Sequence, residues 1–566
     1  MKTNQGVLEG GKTPLLMLLL TLALVLGPIG TTIWYSFRTG LPGFPSPYTL
    51  KNYVGALSSP DTYRIFLNTL GLGVGTMITV LCFGLPLALL LGRTDLPAKN
   101  FWLTVLSVEI LIPGFLKAFS WILLLNPRTG IINVAIMGLL GLEKAPINIY
   151  SLPAISFIQG LSLTPPAVFM IVSAFRGMDV SLEESARVHG MGYSTITRKI
   201  TLPLMMPALV AALLYYFVTA IETFEIPAIL GLPSRIFVIT TLIYDQTNPD
   251  AGLPNFGKAS SMGILLTLLS SVGLYFYFRT LKKANQYAVI TGKGYRRKEI
   301  ALGKWKWAGI GFMLFYLVPA LILPFLTLIW ASLFRYLQAP SLKVLHLASL
   351  DAYTKIIDAA GPAVLKNTGL LMVITATVVM TLSALISWVV VRSRFKWKKL
   401  LDSAAFLPHA VPSVVFALAL AVFALTFRLP IYGTIFILMF GNAIKSLGWG
   451  TRSLNSTMIQ IHRDLEEAGQ VHGMSRLQVL RKVILPLIGP SLLNGWMWIA
   501  LLALREVTMA LMLYSTRNVV ISTQIWSLWR ADTAQAAALG VVLVVVIAIV
   551  WFVARGILER RIAMQS

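Results

Sequence analysis

The residues that first invite a chemical reading are Gly6–Thr13, which read G-V-L-E-G-G-K-T. They satisfy G-x-x-x-x-G-K-[ST], a loop whose backbone N–H groups and lysine cradle nucleotide phosphates. That chemistry needs a strand before the loop and a helix N-terminus after it, inside an α/β domain. Only five residues precede Gly6 and a long apolar run follows. The match is therefore expected to be coincidental, so ATP chemistry is expected from elsewhere. The five histidines (His189, His346, His409, His462 and His472) do not cluster with zinc-ligand spacing. His409, at a span start, is expected to be packed rather than a ligand. No nucleophile–base arrangement stands out, and the catalytic assignment is none.

A second set of chemistry-bearing residues lies inside the apolar runs: Glu109, Lys117, Glu222, Glu225, Arg505 and Glu506. Ionisable groups at membrane depth are rare and tend to face a bundle interior or a watery cavity. They are candidate transport-pathway residues. Structural ion pairs that lock helices together, or groups close enough to a span end to reach water, are the equally weighted alternative. Glu222 and Arg505 occupy equivalent positions at an offset of 283 residues.

The elements that must position these groups are transmembrane helices. The chain has 566 residues, 56% of them hydrophobic and 12% charged, with a mean hydropathy of +0.76. A soluble protein carries about twice that share of charge. The apolar runs reach the ~20 residues that cross a hydrocarbon core. Alternation in segments of about ten residues, the mark of a β-barrel, is missing. The net charge of +25 is spread between apolar runs, which favours the positive-inside rule over nucleic-acid binding. The single cysteine, Cys82, rules out a disulfide framework within the chain.

Twelve spans are predicted, near 14–36, 64–92, 101–125, 152–175, 204–231, 259–280, 307–334, 364–391, 401–426, 430–450, 487–514 and 536–558. The fold class is an all-α membrane protein. Its two pseudo-symmetric six-helix halves cover 1–300, ending in a basic linker, and 301–566. The basic loops put the N-terminus in the cytoplasm. Loops 37–63, 126–151 and 335–363 on the other side are long enough to offer a binding surface.

The halves repeat at residue level. Residues 182–209 and 465–492 align without a gap and share 14 of 28 positions, among them Glu183, Glu184, His189, Gly190, Arg198, Lys199 and Pro203. Asn68 and Arg93 are 25 residues apart, as are Asn367 and Arg392. Each repeated segment reads as a short helix, a turn and a second helix that re-enters the membrane at Leu-Pro. Ser181 with Glu184, and Asp464 with Glu467, have capping-box spacing. Ser194 is placed to cap the helix that follows. Gly190 and Gly473 stand where a left-handed residue would end the first helix. The result is a capped rod on the cytoplasmic face, joined directly to a span.

This pattern, E-E-S-A-R-V-H-G in one copy and E-E-A-G-Q-V-H-G in the other, resembles the EAA loop of the permease subunits of binding-protein-dependent ABC importers. The fused, two-repeat permeases of the ferric-iron type are the nearest resemblance. It rests also on Phe224–Pro227 with Gly231–Pro233, on Thr291–Tyr295, Leu407–His409 and Arg505–Glu506, and on Leu513–Tyr514. The resemblance implies a type I importer permease with about twelve helices in the bacterial inner membrane. It implies ATPase-coupling roles for Glu183, Glu184, Ala186, His189, Gly190, Glu466, Glu467, Gly469, His472 and Gly473. Gly469 departs from the alanine usual in the family.

The implied partners are an ABC ATPase dimer on the cytoplasmic face, a periplasmic or lipid-anchored solute-binding protein outside, and membrane lipid, with no nucleic acid. No cofactor belongs to this chain; ATP and Mg belong to the ATPase. The chain is then a transport subunit and not an enzyme. Any metal site is unknown. Ferric iron is the leading solute, with thiamine, polyamine, phosphonate or sugar phosphate possible. Carboxylates on the path suit a hard cation, whereas Lys117 and Arg505 suit an anion. The alternative is an ion-gradient-driven secondary transporter, to which matched ATPase docking rods would be of no use.

Overall fold

The computed structural model describes residues 12–176, 181–249, 251–286, 299–338, 340–341 and 343–563. Residues 6–11 of the phosphate-loop match, the Thr291–Tyr295 stretch and most of the basic linker lie outside the described residues, as do the side chains of Ser181 and Ser194.

Among the described residues nine single helices are long and apolar enough to span a membrane, and three bent pairs raise the number to twelve. The nine are Lys12–Tyr35, Pro60–Arg93, Leu152–Phe175, Thr197–Glu222, Phe256–Lys282, Gly303–Ser332, Gly361–Arg392, Leu480–Arg505 and Thr533–Val553. Two of the bent pairs, Lys99–Leu111 with Gly114–Leu125 and Lys398–Ala410 with Ser413–Thr426, turn by 92° and 104°. Pro113 and Pro412 stand at the turns. Proline supplies no N–H and disfavours helix in the residue before it, so each run breaks there.

Three predicted spans end differently from expectation. The run expected over 204–231 stops at Glu222, and a third bent pair, Glu225–Ser234 with Ile239–Thr247, follows at 75°. The run expected over 487–514 stops at Arg505 and continues as Thr508–Met512 and Ile521–Ala531. Hydropathy carries through these breaks because the pieces that follow them, Glu225–Gly231 and Thr508–Met512, are apolar too. The span expected over 430–450 is the helix Ile435–Gln460, which carries Lys445 and Arg452 and is not among the apolar spans.

The chain forms two compact units, and neither is a contiguous half. One comprises Met1–Ser58, Leu242–Leu265 and Tyr353–Ser566; the other comprises Ser59–Thr241 and Leu266–Ala352. In the first unit, helix Lys12–Tyr35 packs on Lys398–Phe406 and Ser413–Thr426. In the second, Leu323–Ser332 packs on Gly114–Leu125. Each unit thus takes the leading helix of the other sequence repeat.

Small residues bring the central helices of each unit together. A Cβ at Gly160 would overlap the side chain of Thr79, and one at Gly450 would overlap that of Ser383. Close approach of this kind is how helices gain packing energy where lipid removes the hydrophobic drive. Two of the long loops are each tied down by an asparagine. Asn52 donates to the carbonyls of Ser36 and Arg38, each at 2.8 Å. Asn133 donates to Leu125 and Ile147, also each at 2.8 Å.

Candidate functional site

The repeated segments form two short rods, Ser181–Val188 and Asp464–Val471. Their C-terminal ends match bond for bond. Gly190 has φ of +80° and Gly473 has φ of +78°. The Gly190 N–H donates to Arg187 at 2.9 Å and Met191 to Ala186 at 3.1 Å. The Gly473 N–H donates to Gln470 at 2.9 Å and Met474 to Gly469 at 3.0 Å. This double bond is a Schellman closure, which favours glycine because a Cβ is strained at positive φ. The Nδ1 of His189 lies 2.8 Å from the Ser185 carbonyl, and that of His472 lies 2.8 Å from Ala468. A carbonyl only accepts, so Nδ1 carries the proton in both. Each paired histidine therefore places a second hydrogen bond on a carbonyl that already accepts its own backbone N–H, at 3.2 Å for Ser185 and 3.1 Å for Ala468.

The rod starts differ from expectation. Asp464 is already inside its helix, after Arg463, and makes no side-chain cap. Its carboxylate sits 2.9 Å from His462 instead, so the Asp464–Glu467 box does not form. A box does form one helix later, where the Ser475 N–H donates to Gln478 Oε1 at 2.7 Å and the Gln478 N–H donates to Ser475 Oγ at 3.3 Å.

The first glutamate of each rod is held in an ion pair, buried at Glu183 and half-buried at Glu466. Glu183 meets Arg93 and also accepts from Thr201 Oγ1 at 2.7 Å. Glu466 Oε1 lies 2.7 Å from Arg392 Nε, poorly aligned for a hydrogen bond, so this contact is ionic. Arg392 donates as well to the carbonyls of Met458 at 3.0 Å and Ile461 at 2.7 Å. Arg93 and Arg392 end the helices Pro60–Arg93 and Gly361–Arg392, so each rod is pinned to a span. Glu184 and Glu467 are exposed. So are Val188 and Val471, at 86% and 85%. Ala186 and Gly469 are buried. A Cβ on Gly469 would come 3.1 Å from Val479, a tight fit that explains glycine at that position.

Behind the rods, Thr197–Thr201 and Leu480–Ile484 wind as single π turns ahead of Leu-Pro. Pro203 and Pro486 cannot donate to the carbonyl four residues back, and widening by one residue relieves the clash.

The six ionisable groups of the apolar runs divide into three kinds, and only Glu109 and Lys117 are fully buried. Lys117 Nζ lies 3.1 Å from Glu109 Oε1, with both side chains at most 4% exposed. The Tyr316 hydroxyl is 2.9 Å from that oxygen and 2.9 Å from the Leu161 carbonyl. This cluster brackets the Pro113 bend and ties in the helix that follows the linker. Glu225 accepts from the Phe115 N–H at 3.2 Å, and Glu506 from the Met509 N–H at 3.0 Å. Glu225 and Glu506 therefore cap helix starts. Glu222 and Arg505 end the helices Leu202–Glu222 and Leu485–Arg505, at the breaks. His409 is exposed, with its ring 5.6 Å from that of Phe406, so it packs on one side only. Among the described residues, no group of three or more His, Cys, Asp or Glu converges as a metal site.

Residues 84–286 and 379–564 each match the family described as the binding-protein-dependent transport system inner membrane component. The chain belongs to that family. The permease is 23% identical to the Fe(3+)-transport system permease protein FbpB 2 of Haemophilus influenzae, covering 86% of this chain and 88% of that protein. It is 27% identical to the ferric transport system permease protein FbpB of Actinobacillus pleuropneumoniae, covering 76% of this chain and 62% of that one. A spermidine/putrescine permease, PotB of Haemophilus influenzae, matches 44% of the chain at 27% identity and is itself covered to 85%. The protein is a multi-pass membrane permease of a binding-protein-dependent ABC importer, in a bacterial inner membrane. Membership in this family implies an ATPase and a solute-binding protein as partners, with hydrolysis in a separate subunit.

Sequence reasoning marked Arg93 and Arg392 as repeats yet missed their tie to the rods. The signal was present: two arginines at equivalent span ends, and two glutamates in equivalent first turns. It also missed Tyr316 and Lys445. Lys445, a lone lysine in an apolar run, reaches the carbonyl of Pro408 at 3.1 Å and that of Val411.

Proposed function

We propose that this permease imports ferric iron, powered by an ATPase dimer seated on its two rods in the cytoplasm. One observation carries the coupling role: two rods agree in their Schellman closure, histidine cap, glutamate–arginine pin and exposed valine. On this reading the exposed faces, Glu184, Val188 and His189 with Glu467, Val471 and His472, meet the ATPase, while Glu183 and Glu466 hold each rod to its span. Gly190 and Gly473 set the rod ends, and Ala186 and Gly469 seat the rods on the helix behind.

ATP and Mg bind in the ATPase, and the permease has no cofactor of its own. Closure of the ATPase dimer draws the rods together, and the arginine pins carry the displacement into the helices Pro60–Arg93 and Gly361–Arg392. A periplasmic or lipid-anchored binding protein delivers solute at the long outer loops. Each partner drives the cycle only through differential affinity for the two states. Glu222 and Arg505 at the helix breaks are the pathway candidates; Glu109, Lys117, Glu225 and Glu506 serve the helix geometry around them.

Ferric iron is supported by the names of the two ferric-transport relatives, each of which matches most of the chain. The polyamine permease supports the second reading. Proteoliposomes holding the permease, its ATPase and its binding protein decide between them. ATP-dependent uptake of ferric iron without uptake of spermidine is expected. Spermidine uptake alone would overturn the iron assignment and leave the coupling role standing.

A further inference from the structure

Helices Gly361–Arg392 and Leu480–Arg505 enclose an apolar groove of about 730 Å³. Thr377, Thr381 and Ala384 line it from the first helix, and Leu485, Gly489 and Leu492 from the second. The same face of the first helix continues through Trp388 to Arg392, since positions 377, 381, 384, 388 and 392 recur at helical spacing. Trp388 and Arg392 line a second cavity, of about 200 Å³, with Arg394 and Arg463. Groove and polar pocket thus succeed one another along one helix face. From Thr377 to Trp388 the rise is about 16 Å, half of a ~30 Å hydrocarbon core and so the depth of one leaflet. At its far end the groove is closed by the Trp496 indole, which donates to Thr377 Oγ1 at 3.0 Å.

The pocket has charge to spare. Glu466 is taken by Arg392, and Glu467 also borders the cavity. Three arginines therefore face two carboxylates. Arg394 and Arg463 are exposed and form no ion pair among the described residues. The Trp388 indole N–H is buried and lacks a hydrogen-bond partner. Lys396, Lys398 and Lys399 follow in the same turn, with Lys396 Nζ 5.6 Å from the Trp397 ring. The equivalent turn of the other repeat is neutralised and covered. There Arg93 pairs with Glu183, Asp95 with Lys306 and Lys99 with Glu299. Ile300 seals its backbone by donating to Arg93 at 2.8 Å and accepting from Asp95 at 3.0 Å. Of the two turns, among the described residues, the second offers open positive charge beneath an acyl-sized groove.

We infer that this groove and pocket bind one anionic phospholipid, its acyl chain between the two helices and its phosphate at Arg394 and Arg463. Basic residues just beyond a span attract anionic headgroups, and arginine pairs well with phosphate oxygens. The site lies against the Arg392–Glu466 pin, so an occupied site stiffens the attachment of the second rod alone.

The test is native mass spectrometry of the full-length chain in detergent with added phosphatidylglycerol or phosphatidylcholine. The intact protein should retain one phosphatidylglycerol with at least about tenfold preference. Arg394→Gln/Arg463→Gln should lose that preference. Gly489→Trp should lose it too, by filling the groove; nothing lies within 4 Å of a Cβ there, so the helix tolerates the change. Unchanged melting temperature and monodisperse elution confirm that both variants fold. Equal retention of the two lipids by the intact protein would overturn the site. So would full retention in either variant, or displacement of the bound lipid by millimolar inorganic phosphate, which would mark a simple anion pocket.

Discussion

At the rod ends the two repeats place the same donor on the same acceptor: glycine N–H on the residue three back, and histidine Nδ1 on the carbonyl four back. At the proline bends they share only a backbone shape. The bend at Pro113 is held by the Glu109–Lys117 pair with Tyr316, and by Glu225 on the Phe115 N–H. The bend at Pro412 is held by Lys445 on two carbonyls. A bend in lipid only has to satisfy its own freed backbone groups, and any suitable donor or acceptor will do. A surface that fits two copies of one partner has to be repeated in detail. On the proposed coupling role, the difference separates what the partner dictates from what the membrane dictates.

The strongest way to break this comparison is to remove a pin. Arg93→Ala leaves Glu183 buried with Thr201 alone, which should cost about 3–5 kcal/mol and abolish uptake. A thermal melt of the purified permease and an uptake assay check it, and an unchanged melt would deny the pin. Next in size, Gly190→Val and Gly473→Val should each cost about 1–2 kcal/mol, because L-residues resist positive φ. Their effects on uptake should be equal, and a large difference between them would argue against equivalent rods.

At the bends the expected effects are smaller. Tyr316→Phe should cost about 1 kcal/mol. The paired change Glu109→Gln/Lys117→Met should be near neutral in stability, since replacing a buried ion pair as a whole often is. Loss of transport in a stably folded double variant would move these residues from the bend to the pathway.

The smallest effect concerns the covered turn. The Leu302 N–H and then the Lys306 ammonium hold the half-buried Asp95 carboxyl below the usual carboxylate range. A lowered carboxylate contributes stability above its unfolded pKa and loses it as pH falls through the lowered value. Amide exchange at Leu302 should therefore quicken only on acidification below about pH 4. Exchange that quickens toward alkaline pH beyond the intrinsic rate would contradict the assignment.

Much of this was legible in the chain. The rods, their glycines and most of the spans follow from repeat, charge and hydropathy, because each depends on residues near in sequence. Less legible were features set by distant partners. The Arg93–Glu183 pair joins residues 90 apart, and the Tyr316–Glu109 contact joins residues 207 apart. The helix breaks at Glu222 and Arg505 were hidden because apolar character continues through the short helices that follow them. The exchange of leading helices between compact units was hidden for a different reason, since a repeat in sequence says nothing of which copy a helix packs against. Asp464 misled through a one-residue shift: at the first helical position a carboxylate can no longer act as the cap.

The most direct test of the paired rods is capture of the ATPase subunit by purified permease carrying Val188→Asp or Val471→Asp, one at a time. Both valines are almost fully exposed, so neither change should disturb the fold. Each single variant is predicted to weaken capture to the same extent, and the double variant to abolish it. Full capture by either single variant, or a defect confined to one rod, would contradict the claim that the two rods are equivalent points of energy entry.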